Sequence, residues 1–412
     1  MCYFTTFCRI HLRSRRRDSQ PLQTVMGNLR VLELYSGIGG MHYALQESGI
    51  PSQVVAAIDI NTTANLIYKH NFPDTPLWNK TIEGISLDDF NKLSFDMILM
   101  SPPCQPFTRI GLQGDTADPR TKSFLYILDL LPRLCRLPRF ILLENVKGFE
   151  TSSARERLVK TLMECGYNFQ EIMVSPTSVG IPNSRLRYFL IAEKSAGQLS
   201  TQTGLKMLDV LPLPAKSEPA EQPRVLSPVC QRSGQPEEEV QRGGILYKLE
   251  TQMDAQRKVN QNRDLSVREI QDFLEPQMEV NLELHLLPPK TLLRYGLLLD
   301  IVQPTCRRSV CFTKGYRRYV EGTGSVLQSC TETKIESVFT GLDQLSEEEK
   351  LQRLVKLKLR YFTPREVANL MGFPQSFSFP EQIPTIQRYR VLGNSLNVVV
   401  VARLLQLLVS ER

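Results

Sequence analysis

A cysteine stands in Ser101-Pro102-Pro103-Cys104-Gln105-Pro106-Phe107, directly after the apolar run from Phe95 to Met100. Prolines fix φ and remove backbone donors, so this segment holds one thiol in one place. A thiol that only fills space needs no such placement, whereas a nucleophile does. Glu144 follows Ile141, Leu142 and Leu143 in the same manner. A carboxylate closing a buried run is costly unless it is paired or used. Burial would raise its pKa and let it act as an acid, although an N-cap or an ion pair would also account for it. Arg185 and Arg187 alternate within Asn183-Ser184-Arg185-Leu186-Arg187-Tyr188, which puts both on one face of a strand. Two adjacent guanidinium groups repel and need anions or carbonyls between them. A thiolate, a carboxylate or a pyrimidine carbonyl would serve, and a solvated basic edge strand would show the same spacing.

A glycine loop, LELYSGIGG over residues 32–40, follows one apolar run and opens a helical pattern. Gly37, Gly39 and Gly40 allow close backbone approach, and free amides at the helix start favour an anionic group. Asp59 closes the next apolar run, 22 residues after Gly37, where an acid is placed for ribose hydroxyls. A dinucleotide site would want GxGxxG, which this loop lacks; an adenosyl cofactor without a pyrophosphate fits a looser loop. A plain strand-to-helix turn would also contain glycines.

The elements that must carry these residues are short. LRVLEL (29–34), VVAAID (54–59), FDMILM (95–100) and FILLEN (140–145) are strand candidates. Helical patterns at 41–48, 62–70 and 123–136 separate them. Such alternation predicts an α/β fold with a parallel sheet covered on both faces. FQEIMVS (169–175) and LRYFLIA (186–192) are expected to close it as an antiparallel edge pair. From 193 to 244 the chain is rich in Ser, Gln, Glu and Pro and reads as a flexible insertion. A second folded region is expected over 245–355, with a helix at 266–274 capped by Ser266 and Glu269. It ends in a basic, aromatic stretch, CRRSVCFTKGYRRYV (306–320). Thr363-Pro364-Arg365-Glu366 starts a further helix that stops at Gly372. Residues 26–192 and 356–412 then form one domain interrupted by the insertion and the second lobe.

Bulk properties narrow the class. Hydrophobic content is 42% and charged content 23% of 412 residues, ordinary for a globular protein, and no run of about 18 apolar residues suggests a membrane span. Residues 1–25 hold five arginines against one aspartate, more than half of the net +7. They read as a disordered basic extension ahead of Met26. The body is only mildly basic, so total charge is weak support for a polyanionic partner. Nine scattered cysteines without CxxC spacing suit a reducing compartment. Four histidines, at 11, 42, 70 and 285, form no ligand cluster, so no metal is expected. A cysteine hydrolase would need a histidine partner, and His42 and His70 lie in helical patterns away from Cys104.

In chain order the blocks are the glycine loop, Asp59, Pro-Pro-Cys-Gln, Glu-Asn-Val and Arg-Leu-Arg, closed by LRYFTPREVANLMGFP (359–374) and QRYRVLGNSLNVVV (387–400). This order resembles the cytosine carbon-5 methyltransferases over about residues 29–192 and 355–410. The compact chain and CFTKGY (311–316) resemble the subclass named DNA methyltransferase homologue 2, from Met26 onward. The resemblance implies a Rossmann-like class I fold dependent on S-adenosylmethionine, with a smaller target-recognition lobe. It implies Cys104 as nucleophile at carbon 6 of cytosine, Glu144 at ring nitrogen 3, and Arg185 and Arg187 at the thiolate and the base carbonyl. Ile38, Gly39, Gly40, Asp59, Ile82, Glu83, Ser101 and Ser395 would line the cofactor pocket. In the lobe, Arg307, Arg308, Phe312, Lys314, Tyr316, Arg317 and Arg318 would meet phosphates and unstacked bases, or form a solvated basic loop. The implied substrate is cytosine 38 of aspartate tRNA, with weak affinity for DNA, acted on by a monomer in the cytoplasm with a nuclear pool. A DNA methyltransferase shares the same chemistry, and a catalytically silent nucleic-acid-binding protein would share the fold.

Overall fold

Strands covered on both faces show no polar side, and the apolar runs become such strands. The computed structural model describes residues 27–103, 115, 118–195, 207–208, 251–276 and 281–410. The basic extension, Cys104 and most of the insertion lie outside these residues. In chain order the first part runs β1 (Leu29–Leu34), α1 (Gly40–Glu47), β2 (Ser52–Ile58), α2 (Thr62–Asn71), β3 (Leu77–Trp78) and α3 (Leu87–Leu93). It continues with β4 (Met97–Met100), α4 (Lys122–Leu130), β5 (Phe140–Val146), α5 (Ser153–Glu164), β6 (Tyr167–Val174) and β7 (Arg187–Lys194). The strands form one sheet in the order β3-β2-β1-β4-β5-β7-β6. Strands β1 to β5 pair in parallel. β7 is antiparallel to both neighbours. The antiparallel pair expected at the edge is present, but β7 lies inside the sheet and β6 forms the rim.

Alternation divides each strand between two cores. Val31, Met97, Leu99, Phe140 and Leu142 face α1, α2 and the C-terminal helices. Leu32, Ile98, Met100, Ile141 and Leu143 face α3, α4 and α5. The carboxyl ends of β1 to β5 point one way, with helices on both flanks, and ligand sites in such sheets lie beyond those ends.

The second part comprises α6 (Gln252–Arg263), α7 (Pro289–Tyr295), β8 (Ile301–Val302), β9 (Val326–Gln328), α8 (Ile335–Phe339), α9 (Glu347–Leu354) and β10 (Leu359–Arg360). α10 (Pro364–Leu370), α11 (Thr385–Asn394) and α12 (Val398–Val409) follow. A small sheet in the order β10-β9-β8 organises the lobe. Because β10 pairs with β9, the lobe borrows a strand from beyond the expected boundary at 355. Its apolar residues join the core under α1 and α12 rather than forming a separate one.

The helix expected at 266–274 is absent. Ser266 bonds back to Asp264, and the amides of Arg268, Ile270 and Gln271 donate to Gly180, Cys306 and Pro304 carbonyls. Those tertiary partners leave only a 3-10 turn at Ile270–Phe273. The helix sits earlier, as α6, with Thr251 and Asp254 forming its capping box. At α10 the expected Thr363–Glu366 box with Pro364 at the first position is present.

The span Thr385–Val409 is long and apolar enough to cross a membrane by composition. Seven residues of α12 are nonetheless buried, and α12 packs on α1, as a core helix does.

Candidate active site

The glycine loop is held by its own backbone. Tyr35 (φ 57°), Gly37 (φ 54°) and Gly39 (φ 86°) occupy the left-handed region, which glycine enters without steric cost. A Cβ on Gly39 would also lie 2.4 Å from the Phe72 ring. The Gly37 amide donates to Asp59 Oδ2 at 2.8 Å, and the Asn61 amide to Oδ1 at 2.7 Å. Asp59 thereby fixes the loop across two strand ends. Burial raises its pKa despite those hydrogen bonds. A Cβ on Gly40 would come within 3.1 Å of Ser395 Oγ and of Leu396, so the turn between α11 and α12 closes directly over the loop.

Beneath the loop, Glu33 is fully buried in β1. Tyr68 Oη lies 2.8 Å from Glu33 Oε2 and 2.8 Å from His42 Nδ1. Burial pushes the Glu33 carboxyl up to about 8 and the His42 imidazole down to about 4. At neutral pH both are held uncharged.

A cleft of about 350 Å³ opens at the carboxyl ends of β1, β2, β4 and β5. One end holds the loop residues Ile38 and Gly40 with Asp59, Ser101 and Ser395. The other holds Glu144, Arg185 and Arg187. Glu144 is 9% exposed and its Oε1 lies 3.5 Å from Arg187 Nε. Burial raises its pKa, against the opposing charges of Arg187 and Arg185. The carboxyl therefore keeps its proton above the ordinary carboxylate range.

Arg185 precedes β7 and is committed to the protein. Its Nη1 donates to Cys311 Sγ at 3.2 Å and to the Phe312 carbonyl at 3.0 Å. Its Nη2 donates to the carbonyls of Gly393, at 3.2 Å, and Ser395. One buried guanidinium thus ties the lobe to the closing turn. Arg187 Nη2 also approaches Cys311 Sγ, at 3.8 Å. Burial alone would raise the Cys311 pKa, but Arg185 and Arg187 more than offset it, and the net shift is downward. The partners that the two neighbouring arginines find are thus a lobe cysteine, main-chain oxygens and Glu144. Sequence reading missed Cys311 as a site residue. The signal was its place at the head of CFTKGY, but only the fold brings it to residues 126 and 124 positions earlier.

Other expectations resolve differently. Cys104 lies outside the described residues; Pro102 and Pro103 before it line the cleft, and Asn145 Nδ2 donates to the Pro102 carbonyl at 3.4 Å. Gly39 belongs to the loop but does not line the cleft. Ile82 and Glu83 sit on a 3-10 turn and are not among the residues lining the cleft, with Ile82 buried in the opposite core. Glu83 acts electrostatically on the Tyr35 phenol.

The aromatic lobe residues do not present rings to a base. Phe312 and Tyr316 are each 2% exposed. Tyr316 Oη donates to the Ser325 carbonyl and accepts the Phe362 amide. These rings stack edge to face with Phe362, Tyr361 and Tyr389, so they form the joint between lobe and C-terminal segment. Arg307 pairs with Glu269 at 2.9 Å. Arg308 is buried and paired with Asp300. Arg317 donates to the Leu284 carbonyl at 3.1 Å. Lys314 and Arg318 remain exposed.

The sequence matches the family model described as C-5 cytosine-specific DNA methylase over residues 29–410. The chain belongs to the C5-cytosine methyltransferase family. Within it, the chain is 58% identical to the human tRNA (cytosine(38)-C(5))-methyltransferase, over 93% of this chain and all of that one. It is 38% identical to the DNA (cytosine-5)-methyltransferase of Dictyostelium discoideum, over 93% of this chain and 95% of that one. A crystal structure of a Spodoptera frugiperda DNMT2 mutant superposes with a TM-score of 0.73 at 38% identity, covering 92% of this chain and 99% of that one. The Schizosaccharomyces pombe Dnmt2 structure gives 0.67 at 36%, covering 92% and 98%. As a C5-cytosine methyltransferase, the chain needs an electrophilic methyl and a nucleophile in one cleft, and the cleft at the strand ends joins the glycine loop to Glu144 and the arginines.

Proposed function

We propose that this chain methylates carbon 5 of cytosine 38 in tRNA, with aspartate tRNA as the favoured substrate and S-adenosylmethionine as methyl donor. The observation that carries the reading is the single cleft joining loop, buried acid and arginines, in a chain 58% identical to a tRNA enzyme. Three features suit an adenosyl cofactor. Ser36 Oγ is buried at the cleft without a hydrogen-bond partner among the described residues. Asp59 offers a carboxylate to hydroxyls, and Gly40 leaves room where a side chain would meet Ser395. The volume lies in the range of small-molecule sites. Ile38, Gly40, Asp59, Ser101 and Ser395 would hold the group, which supplies a methyl on a positively charged sulfur.

The residues act on the base. The Cys104 thiolate adds to carbon 6, and the displaced electron pair moves toward nitrogen 3. Glu144, whose burial favours its protonated form, donates there, so carbon 5 becomes enamine-like and nucleophilic. Arg187 neutralises charge beside the ring. Once carbon 5 carries the methyl, solvent takes the carbon-5 proton, the freed electron pair re-forms the ring double bond and expels Cys104 as a thiolate, and nitrogen 3 returns its proton to Glu144. Reaching the thiol requires the base to leave its stack, which costs less in a tRNA loop than in a duplex.

The test offers methyl-labelled S-adenosylmethionine with either tRNA or duplex DNA. Label should appear on tRNA, vanish in Cys104→Ala, and fall by about 10²–10⁴ in Glu144→Gln. Label on DNA in preference to tRNA would replace this reading with that of a DNA methyltransferase.

A further inference from the structure

The fold sorts the basic stretch after Cys306 into two groups. Arg307, Arg308 and Arg317 are engaged with Glu269, Asp300 and the Leu284 carbonyl. Lys314 and Arg318 are left exposed, and Arg390 from α11 joins them around a second cavity of about 280 Å³. Tyr319, Ile386 and Gln387 also line it, and among the described residues no carboxylate does. Tyr319 is 59% exposed and Ile386 44%, unusual for an aromatic ring and a branched aliphatic side by side on a surface. The Arg318 guanidinium lies 5.4 Å from the Tyr319 ring centre.

The cavity is not remote from the reaction. Val391, Gly393 and Asn394 of α11 line the first cleft, while Ile386, Gln387 and Arg390 line the second. Arg390 and Gly393 are separated along the helix axis by about 4.5 Å. The joint is tight, since a Cβ on Gly393 would lie 2.2 Å from the Lys314 amide nitrogen. One helix therefore forms a wall of both spaces.

Resting on the tRNA reading above, we infer that this second cavity is a subsite for one unpaired nucleotide beside the target cytosine. Extruding a base from a loop unstacks its neighbours, and a displaced neighbour needs a surface. Tyr319 and Ile386 offer its base a flat apolar face. The Gln387 amide carries a donor and an acceptor for the base edge. Lys314, Arg318 and Arg390 meet the flanking phosphates.

The test uses the full chain, an unmodified tRNA transcript and labelled methyl donor. Tyr319→Ala should raise the KM for tRNA about ten-fold and leave kcat and the KM for S-adenosylmethionine unchanged. Tyr319→Phe, which keeps the ring, should match wild type. Lys314→Gln and Arg390→Gln should each flatten the dependence of log affinity on log salt by about 0.7. An unchanged tRNA KM in Tyr319→Ala, with wild type active, overturns the subsite. So does a cofactor KM that rises in step, because the substitution would then be acting through α11. A wild-type chain that labels DNA and not tRNA instead overturns the substrate reading, and this subsite with it.

Discussion

Two buried carboxyls whose pKa burial raises lie within or beneath one cleft, Glu144 and Glu33, and only Glu144 lines it. Glu33 has a different consequence. Its folded pKa of about 8 stands above the ordinary glutamate value of 4.5. Between those values the unfolded chain releases a proton that the folded chain keeps, so stability falls as pH rises through the window. Glu33→Gln keeps an acceptor for Tyr68 and removes the titration. Melting measured from pH 7 to pH 8.5, above the range in which the lowered pKa of the neighbouring His42 makes stability rise with pH, should decline for wild type and stay level for the variant, and parallel slopes would refute this. Glu144 was legible at this scale because it closes a buried apolar run, whereas Cys104 was singled out only by the prolines around it in the sequence and lies outside the described residues. Cys311 was not legible. No local pattern shows that a cysteine will meet two arginines from another part of the chain.

At the scale of elements, the parallel strands could be read because burial on both faces leaves an uninterrupted apolar signal. Two helices show the opposite cases. α6 buries no residue, so its sequence QMDAQRKVNQNR carries no apolar stripe, and only the Thr251–Asp254 cap marked it. The segment 266–274 carried a cap pattern, yet its amides were claimed by neighbouring carbonyls. Phe312 and Tyr316 misled for a related reason: aromatic residues among arginines resemble an exposed binding loop, and tertiary packing turned them inward. α11 depends on the absence of a side chain at one position. In Gly393→Ala the new methyl would meet the backbone of Thr313 and Lys314, which cannot rotate away as a side chain can. The expected cost is about 1–3 kcal/mol, read as a lower Tm, with a rise in the KM for S-adenosylmethionine because the displaced turn carries Ser395. A variant with unaltered stability would show that the lobe yields easily at this joint.

For the whole molecule, the apolar core runs without interruption from the sheet into the lobe, and polar ties reinforce it. Asn183 Nδ2 donates to Ser309 Oγ and to the Val310 carbonyl. Asp300 gathers Arg308, Lys258 and Ser325. Burial would raise the Asp300 pKa, but Arg308 and Lys258 hold it below the usual range. Asp300→Ala leaves the buried Arg308 guanidinium without its counter-charge, at a cost of about 3–5 kcal/mol. Calorimetry should show one transition shifted to lower temperature. Two separated transitions would mean that sheet and lobe unfold independently.

The position of the insertion has a consequence for chain length. Lys194 pairs with Tyr167 at the end of β7 away from the cleft. The chain re-enters at α6, whose Gln261 bonds to Ser184 just before β7 begins. The two contacts stand at opposite ends of β7, a strand about 23 Å long. On the way the chain meets the sheet again, where the Leu208 amide donates to the Glu171 carbonyl of β6 and the Met173 amide to the Leu208 carbonyl. The residues from 208 to 251 have a contour length of roughly 140 Å, several times the length of β7. A few residues gained or lost between them leave that length well above the strand's, so the ends of β7, and with them the Arg185 bracket and the cleft, need not shift.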